Sequence, residues 1–231
     1  MKTNQLIMIF ALLGLAACGS DGGSGSGSTG KKENKSAALE MVEASPGTYY
    51  SVLRPVNFHS NGFIPYGMAT FTLADDVLQV NISMDDDQGV AHRQSLHLGT
   101  RCPSESDDRN ADGFIDYEEA MAVVGPALMP LDNDLNSQLA GEEIYPKGPG
   151  MTYNKTASLQ KINDDLWSRD ENPSDNLMKL DNGKGIGFED RVVLVHGTSY
   201  QGSFPASLAS YNGEDAYLSL PVVCGVLKKI D

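Results

Sequence analysis

The chain has little with which to attract anions and few residues suited to redox or thiol chemistry. It carries 17 lysines and arginines against 31 acidic residues, a formal charge of -14 at neutral pH. That excess repels phosphate backbones and favours divalent cations, which argues against nucleic acid as a partner. Cysteine occurs three times, histidine four times and tryptophan once. A Gly-x-Ser-x-Gly elbow, a His-Glu-x-x-His helix, a Cys-x-x-Cys pair and a Gly-rich phosphate loop are all missing, so hydrolase and nucleotide chemistry have no foothold in the sequence. The one continuous apolar run, Leu6 to Ala17, is too short to span a bilayer comfortably.

The most informative segment is Asp108-Arg109-Asn110-Ala111-Asp112-Gly113-Phe114-Ile115-Asp116-Tyr117-Glu118-Glu119. Ca²⁺ is a hard cation that takes about six to eight oxygen ligands, and an EF-hand loop supplies them from its positions 1, 3, 5, 7, 9 and 12 around a glycine at position 6. Asp108, Asn110 and Asp112 fill the first three of those positions, Phe114 offers its carbonyl, Asp116 gives a direct or water-bridged contact, and Glu119 closes the shell with a bidentate carboxylate. Gly113 stands where the chain must turn sharply, and Ile115 is expected to point into the core. Asp, Asn and Gly are also common turn residues, but turn composition alone does not place the apolar residue and the closing glutamate at these positions. Gly99 and Cys102-Pro103 argue against a helix entering the loop, whereas an exit helix from Tyr117 to Val124 ending at Gly125-Pro126 is expected. Asp132-Asn133-Asp134-Leu135-Asn136, with Glu143 at position 12, has a similar rhythm. Ser137 stands where that loop would need glycine, so the stretch reads as an acidic loop whose Asp132, or Glu142, could at most assist a shared ion.

The N-terminus suggests where calcium would be met. Lys2 precedes the apolar run, which ends in Leu15-Ala16-Ala17-Cys18, a tetrad that resembles the bacterial lipobox. Residues 1–17 are accordingly expected to be a lipoprotein signal peptide, with Cys18 lipidated. Residues 18–36 are rich in Gly and Ser and read as a flexible tether. This implies a protein held by lipid in the bacterial cell envelope, periplasmic or surface-exposed. Gly19, where inner-membrane retention favours Asp, points to the outer membrane rather than the inner. The remainder, 37–231, has the length of a single domain. With Cys18 lipidated only Cys102 and Cys224 are left, and outside the cytoplasm an even pair most often forms a disulfide.

Strand signals dominate that domain. Thr48 to Leu53, Gly67 to Leu73 and Val77 to Met84 are β-rich, and the last two alternate apolar with polar across Ala74-Asp75-Asp76, which predicts an antiparallel hairpin. Ala91 to Leu98, Arg191 to His196, Ala216 to Leu220 and Val222 to Ile230 are further strand candidates. The stretch 126–180, with its prolines, glycines and acidic clusters, reads as a long irregular excursion around one short helix, Thr156 to Leu166. Leu166 and Trp167 are expected to be core contacts.

Three segments also carry a family likeness: His92-Arg93-Gln94-Ser95-Leu96-His97 followed by Cys102, then Val193-Leu194-Val195-His196-Gly197, then Leu220-Pro221-Val222-Val223-Cys224-Gly225-Val226. In order and spacing this resembles the copper/zinc superoxide dismutases and the related CHRD-type domains, as does Leu53-Arg54-Pro55-Val56-Asn57. The resemblance covers most of 47–231, the middle excursion excepted. It implies a mainly β fold, an antiparallel Greek-key β-sandwich, with Cys102 and Cys224 in the disulfide positions. It also implies copper ligands at His97 and His196 and a bracing role for His92. The pattern departs from the family where Ser95 replaces a copper-binding histidine, where the calcium loop occupies the stretch of the bridging histidine, and where Pro221 replaces the superoxide-steering arginine. His59, in the Phe58 to Gly62 turn, is the only other histidine. The expected function is therefore a lipid-anchored calcium-binding protein without catalysis, its protein or ligand partner unnamed by the sequence. The alternative is a copper-dependent, dismutase-like enzyme using His97 and His196 with His92 or His59.

Overall fold

A computed structural model describes residues 43–57, 64–85, 89–138, 144–169, 177–181, 183–199 and 203–230, all within one compact unit, Leu39–Asp231. The expected signal peptide, Cys18, the tether, His59, Glu142 and Glu143 lie outside the described residues.

Alternation decides the first half. Strands β1 (Gly47–Pro55), β2 (Tyr66–Ala74) and β3 (Val77–Asp85) pair in antiparallel register. Phe71 lies opposite Val80 and Leu73 opposite Leu78, so one face of the hairpin is apolar and buried. At the turn Asp75 adopts a left-handed φ of 52°, a conformation Asp tolerates better than bulkier residues. Asp76 accepts hydrogen bonds from Ser158 Oγ and the Gln160 amide, bolting the turn to a distant corner.

That corner departs from expectation. Met151–Ser158 is a strand, β6, paired along its length with β3, and only from Leu159 to Ser168 does the chain become helical, as α2. Ser158 is the N-cap, accepting from the Lys161 amide. Ala127–Pro130 is likewise a strand, β5, so the stretch 126–180 contributes two strands to the sheet and is not wholly irregular. Leu166 is fully buried, and Trp167 packs against the same core, as expected.

The second wing is built from β4 (Gln94–His97), β7 (Val192–His196), β8 (Pro221–Val226) and the short β9 (Lys228–Lys229). Ala216–Ser219 is a one-turn helix, α3, not the expected strand. The described strands form one nine-stranded sheet in the order β5-β4-β7-β8-β1-β2-β3-β6, with β9 on β1. Every named strand pairing is antiparallel. The mainly β, antiparallel expectation therefore holds. β1 joins the wings, pairing with β2 through Leu53 and with β8 at Arg54 and Pro55.

All five residues of β7 are buried because each face meets its own core. Val193 and Val195 enter the main core, whereas Val192 and Leu194 pack with Ile115, Ala120, Val124 and Cys224 beneath helix α1 (Tyr117–Val124). In the main core Phe188 sits fully buried between Tyr49 and Phe71, at ring-centroid distances of 5.5 and 5.6 Å. Phe188→Ala is expected to cost about 3 to 5 kcal/mol, the transfer term plus a cavity that two large neighbours cannot fill. Urea denaturation checks it, and a loss under about 1 kcal/mol would contradict this packing.

Candidate functional site

Cys102 and Cys224 form a disulfide with a Cα separation of 5.7 Å, which ties the approach to the acidic loop onto β8. Arg101 pairs with Asp107 at 2.8 Å, holding that carboxyl well below the usual range. Among the described residues only a three-residue 3-10 turn, Glu105–Asp107, precedes the loop, consistent with the lack of an entering helix.

From Asp108 onward the acidic side chains turn inward onto the loop's own amides. Asp108 accepts from the Asp112 and Gly113 amides at 3.2 and 2.9 Å, and Asn110 Oδ1 from the Asp112 amide at 2.9 Å. Asp112 Oδ1 accepts from the Phe114 amide at 3.0 Å. Glu119 reaches back across the loop, taking the Arg109 amide at 2.7 Å on one oxygen and the Asp116 amide at 3.1 Å on the other. Gly113 has φ 89°, the left-handed turn the motif demands, and Ala111 shares that region at φ 56°. Ile115 is buried, as expected.

Asp116 plays a different part. Its Oδ1 caps α1 by accepting from the Glu119 amide, and its Oδ2 accepts from the Ala209 amide, each at 2.9 Å. Both oxygens are thus directed at amides, which leaves a water-bridged contact as its natural role toward an ion. Sequence reasoning missed Asn57. Its side chain donates to the carbonyls of Ile115 and Pro221 and accepts from the Ile115 amide, clamping the loop to β8. Its place at the end of the Leu53 to Asn57 segment was the one signal, and that segment gave no role for the side chain.

Among the described residues no three His, Cys, Asp or Glu side chains converge as a metal-holding group. The loop's donor set is nevertheless all oxygen and suited to a hard cation. A carboxylate has about four lone-pair sites, so an amide hydrogen bond leaves capacity for a metal.

The histidines form a second cluster. His97 Nδ1 faces the Gly125 carbonyl at 2.9 Å and must carry the proton there, so its Nε2 accepts from the Ser95 hydroxyl at 2.7 Å. By the same reasoning His196 Nδ1 donates to the Ser219 carbonyl at 2.7 Å, which leaves the lone pair on Nε2. Burial depresses both, His97 to about 4 and His196 to about 3, the latter helped by the nearby positive charge of Arg93. His92 Nδ1 donates to the His196 carbonyl at 3.1 Å, a brace on the backbone. His97 and His196 line one cavity of about 30 Å³ together with Arg93, Ser95, Tyr117 and Met121.

Ser95 thus satisfies the Nε2 lone pair of His97 with its own hydroxyl. Ser95 and His97 pair as a hydroxyl and an imidazole, and the cavity they line holds roughly one or two waters. Met121, Tyr117 and Tyr211 also line the cavity, and no spacing in the sequence announces them.

The second acidic loop behaves as a turn. Asp132 and Asp134 accept from the Asp134 and Asn136 amides, and Lys155 donates to Asn133. Among the described residues no helix is long and apolar enough to cross a membrane. No known protein family and no curated protein matches the chain.

Proposed function

We propose that this is a lipid-anchored, extracytoplasmic calcium-binding protein of CHRD or dismutase-like type, its ion serving to hold the fold rather than to catalyse. The observation that carries the reading is the 108–119 loop. The left-handed turn at Gly113 and the reach of Glu119 back to the Arg109 amide fold Asp108, Asn110, Asp112, the Phe114 carbonyl and Glu119 into one short loop, and they support the reading that these oxygens would close on a cation. An overall charge of -14 adds a general attraction for divalent cations. The lipobox-like Leu15 to Cys18 and the tether after it support an anchored location, outer membrane rather than inner.

Extracellular calcium modules bind at roughly 10⁻⁴ to 10⁻³ M, so about 10 mM Ca²⁺ should stabilise the protein by about 1 to 3 kcal/mol. Thermal melts with and without chelator test this. Glu119→Gln should lose most of the gain while keeping the fold. A gain unchanged in that variant places the ion elsewhere, and no gain in the parent protein ends the reading.

A second reading is a copper-dependent, dismutase-like activity at His97 and His196. It is supported by the shared cavity and by the carbonyl that each Nδ1 engages, an arrangement that orients ligating imidazoles. Bound copper would supply one-electron chemistry. Stoichiometric copper by mass spectrometry, retained through dialysis, would favour this reading, and its absence after copper supplementation would remove it.

A further inference from the structure

We infer that cation loading of the 108–119 loop is linked to solvent access at the His97–His196 cavity, through a strap formed by residues 203–214. The inference rests on the calcium reading and adds a regulation of that same site.

The strap is fastened to the loop by the loop's own acidic groups. Ser207 Oγ donates to Asp112 Oδ2 at 2.5 Å, and the Ala209 amide donates to Asp116 Oδ2 at 2.9 Å. The Tyr117 amide donates to the Ala209 carbonyl at 3.3 Å, and Phe204 meets Phe114 edge-on with centroids 5.5 Å apart. Asp112 and Asp116 therefore each offer one oxygen to the loop and the other to the strap.

At its far end the strap walls the cavity. Tyr211 meets Tyr117 in a tilted contact with centroids 5.2 Å apart and lies 4.1 Å from the Arg93 guanidinium, while Glu214 pairs with Arg93 at 2.5 Å. Tyr117 in turn lies 5.8 Å from His196. Tyr117 and Met121, on the helix that leaves the loop, line the same cavity. Helix and strap thus meet over the histidines, and both hang from the loop. In the absence of a cation the carboxylates of Asp108, Asp112, Asp116 and Glu119 repel one another within twelve residues, which loosens the groups that hold the strap. A cation offsets that repulsion, orders Asp112 and Asp116, and closes the cavity. By linkage, whatever changes cavity access also changes cation affinity.

The test uses the full chain, with Ca²⁺ alone as ligand. Calorimetry reads calcium binding. Diethylpyrocarbonate labelling, resolved by mass spectrometry, reads the reactivity of His97 and His196, and hydrogen exchange reads residues 203–214. The expected result is a slowing of labelling by about fivefold or more on calcium loading, the lower end of ordinary coupling, with added protection in the strap. The double variant Phe204→Ala, Ser207→Ala removes no calcium ligand. It should still bind calcium, but its labelling should slow by less than about twofold. Calcium binding with unchanged labelling and unchanged strap exchange in the parent protein would overturn the linkage while leaving the calcium reading intact. No calorimetric binding would overturn both. Should the variant fail to fold, exchange in the parent protein alone decides.

Discussion

Replacing both Cys102 and Cys224 with alanine is expected to cost about 5 kcal/mol, enough to leave a domain of this size barely folded. The bridge closes a loop across a sequence separation of 122, and in the chain-entropy model a loop of that length confines the unfolded chain by about that amount. The structure adds a local reason. Cys224 is buried on β8 within the small core under α1, and Cys102 packs against that core. The bond thus fastens the approach to the acidic loop onto the sheet where Asn57 clamps the loop itself. Urea midpoints of the oxidised protein and the variant, measured at one fixed calcium concentration, give the difference. A loss below about 1 kcal/mol would mean that the small core holds the loop unaided.

Acid should weaken the fold well above the range in which carboxylates titrate. His97 and His196 have folded values near 4 and 3 against about 6.5 when unfolded, because burial disfavours their charged forms. Between those limits the unfolded chain binds more protons than the folded one. The stabilisation is therefore complete above about pH 6.5 and is lost as pH falls toward the folded values. At pH 5 each group has given up about 2 kcal/mol, about 4 kcal/mol together. Denaturant midpoints at pH 7.5, 6 and 5, in chelator, measure the slope. His97→Gln should remove about half of it. A flat profile between pH 7.5 and 5 would show that these imidazoles are hydrated in the folded protein.

The parts readable from sequence are those in which local pattern and final structure obey one rule. The β2–β3 hairpin follows from period-two alternation across Asp75-Asp76, since either face inverted would expose Phe71 and Leu73. The turn of the acidic loop is readable because Gly113 stands where the chain takes a left-handed φ, and its exit helix because Asp116 caps it and Gly125 ends it. Misreadings arose where segments were short or flanked by breakers. Residues 216–219 have too few positions for a four-residue helix to be told from a strand. β6 alternates Met151, Tyr153 and Ala157 inward, but the glycines and proline before it disguised a strand whose partner, β3, lies far back in the chain.

Composition and spacing alone thus settled the mainly β class, the hairpin and the oxygen-rich loop, because each depends on neighbours a few residues apart. The roles of Asn57, Asp116 and Ser95, and the meeting of Tyr117, Met121 and Tyr211 with His196, were decided by the tertiary fold. They depend on which carbonyls and amides the packed sheet brings within reach, and nothing local in the chain specifies those distances.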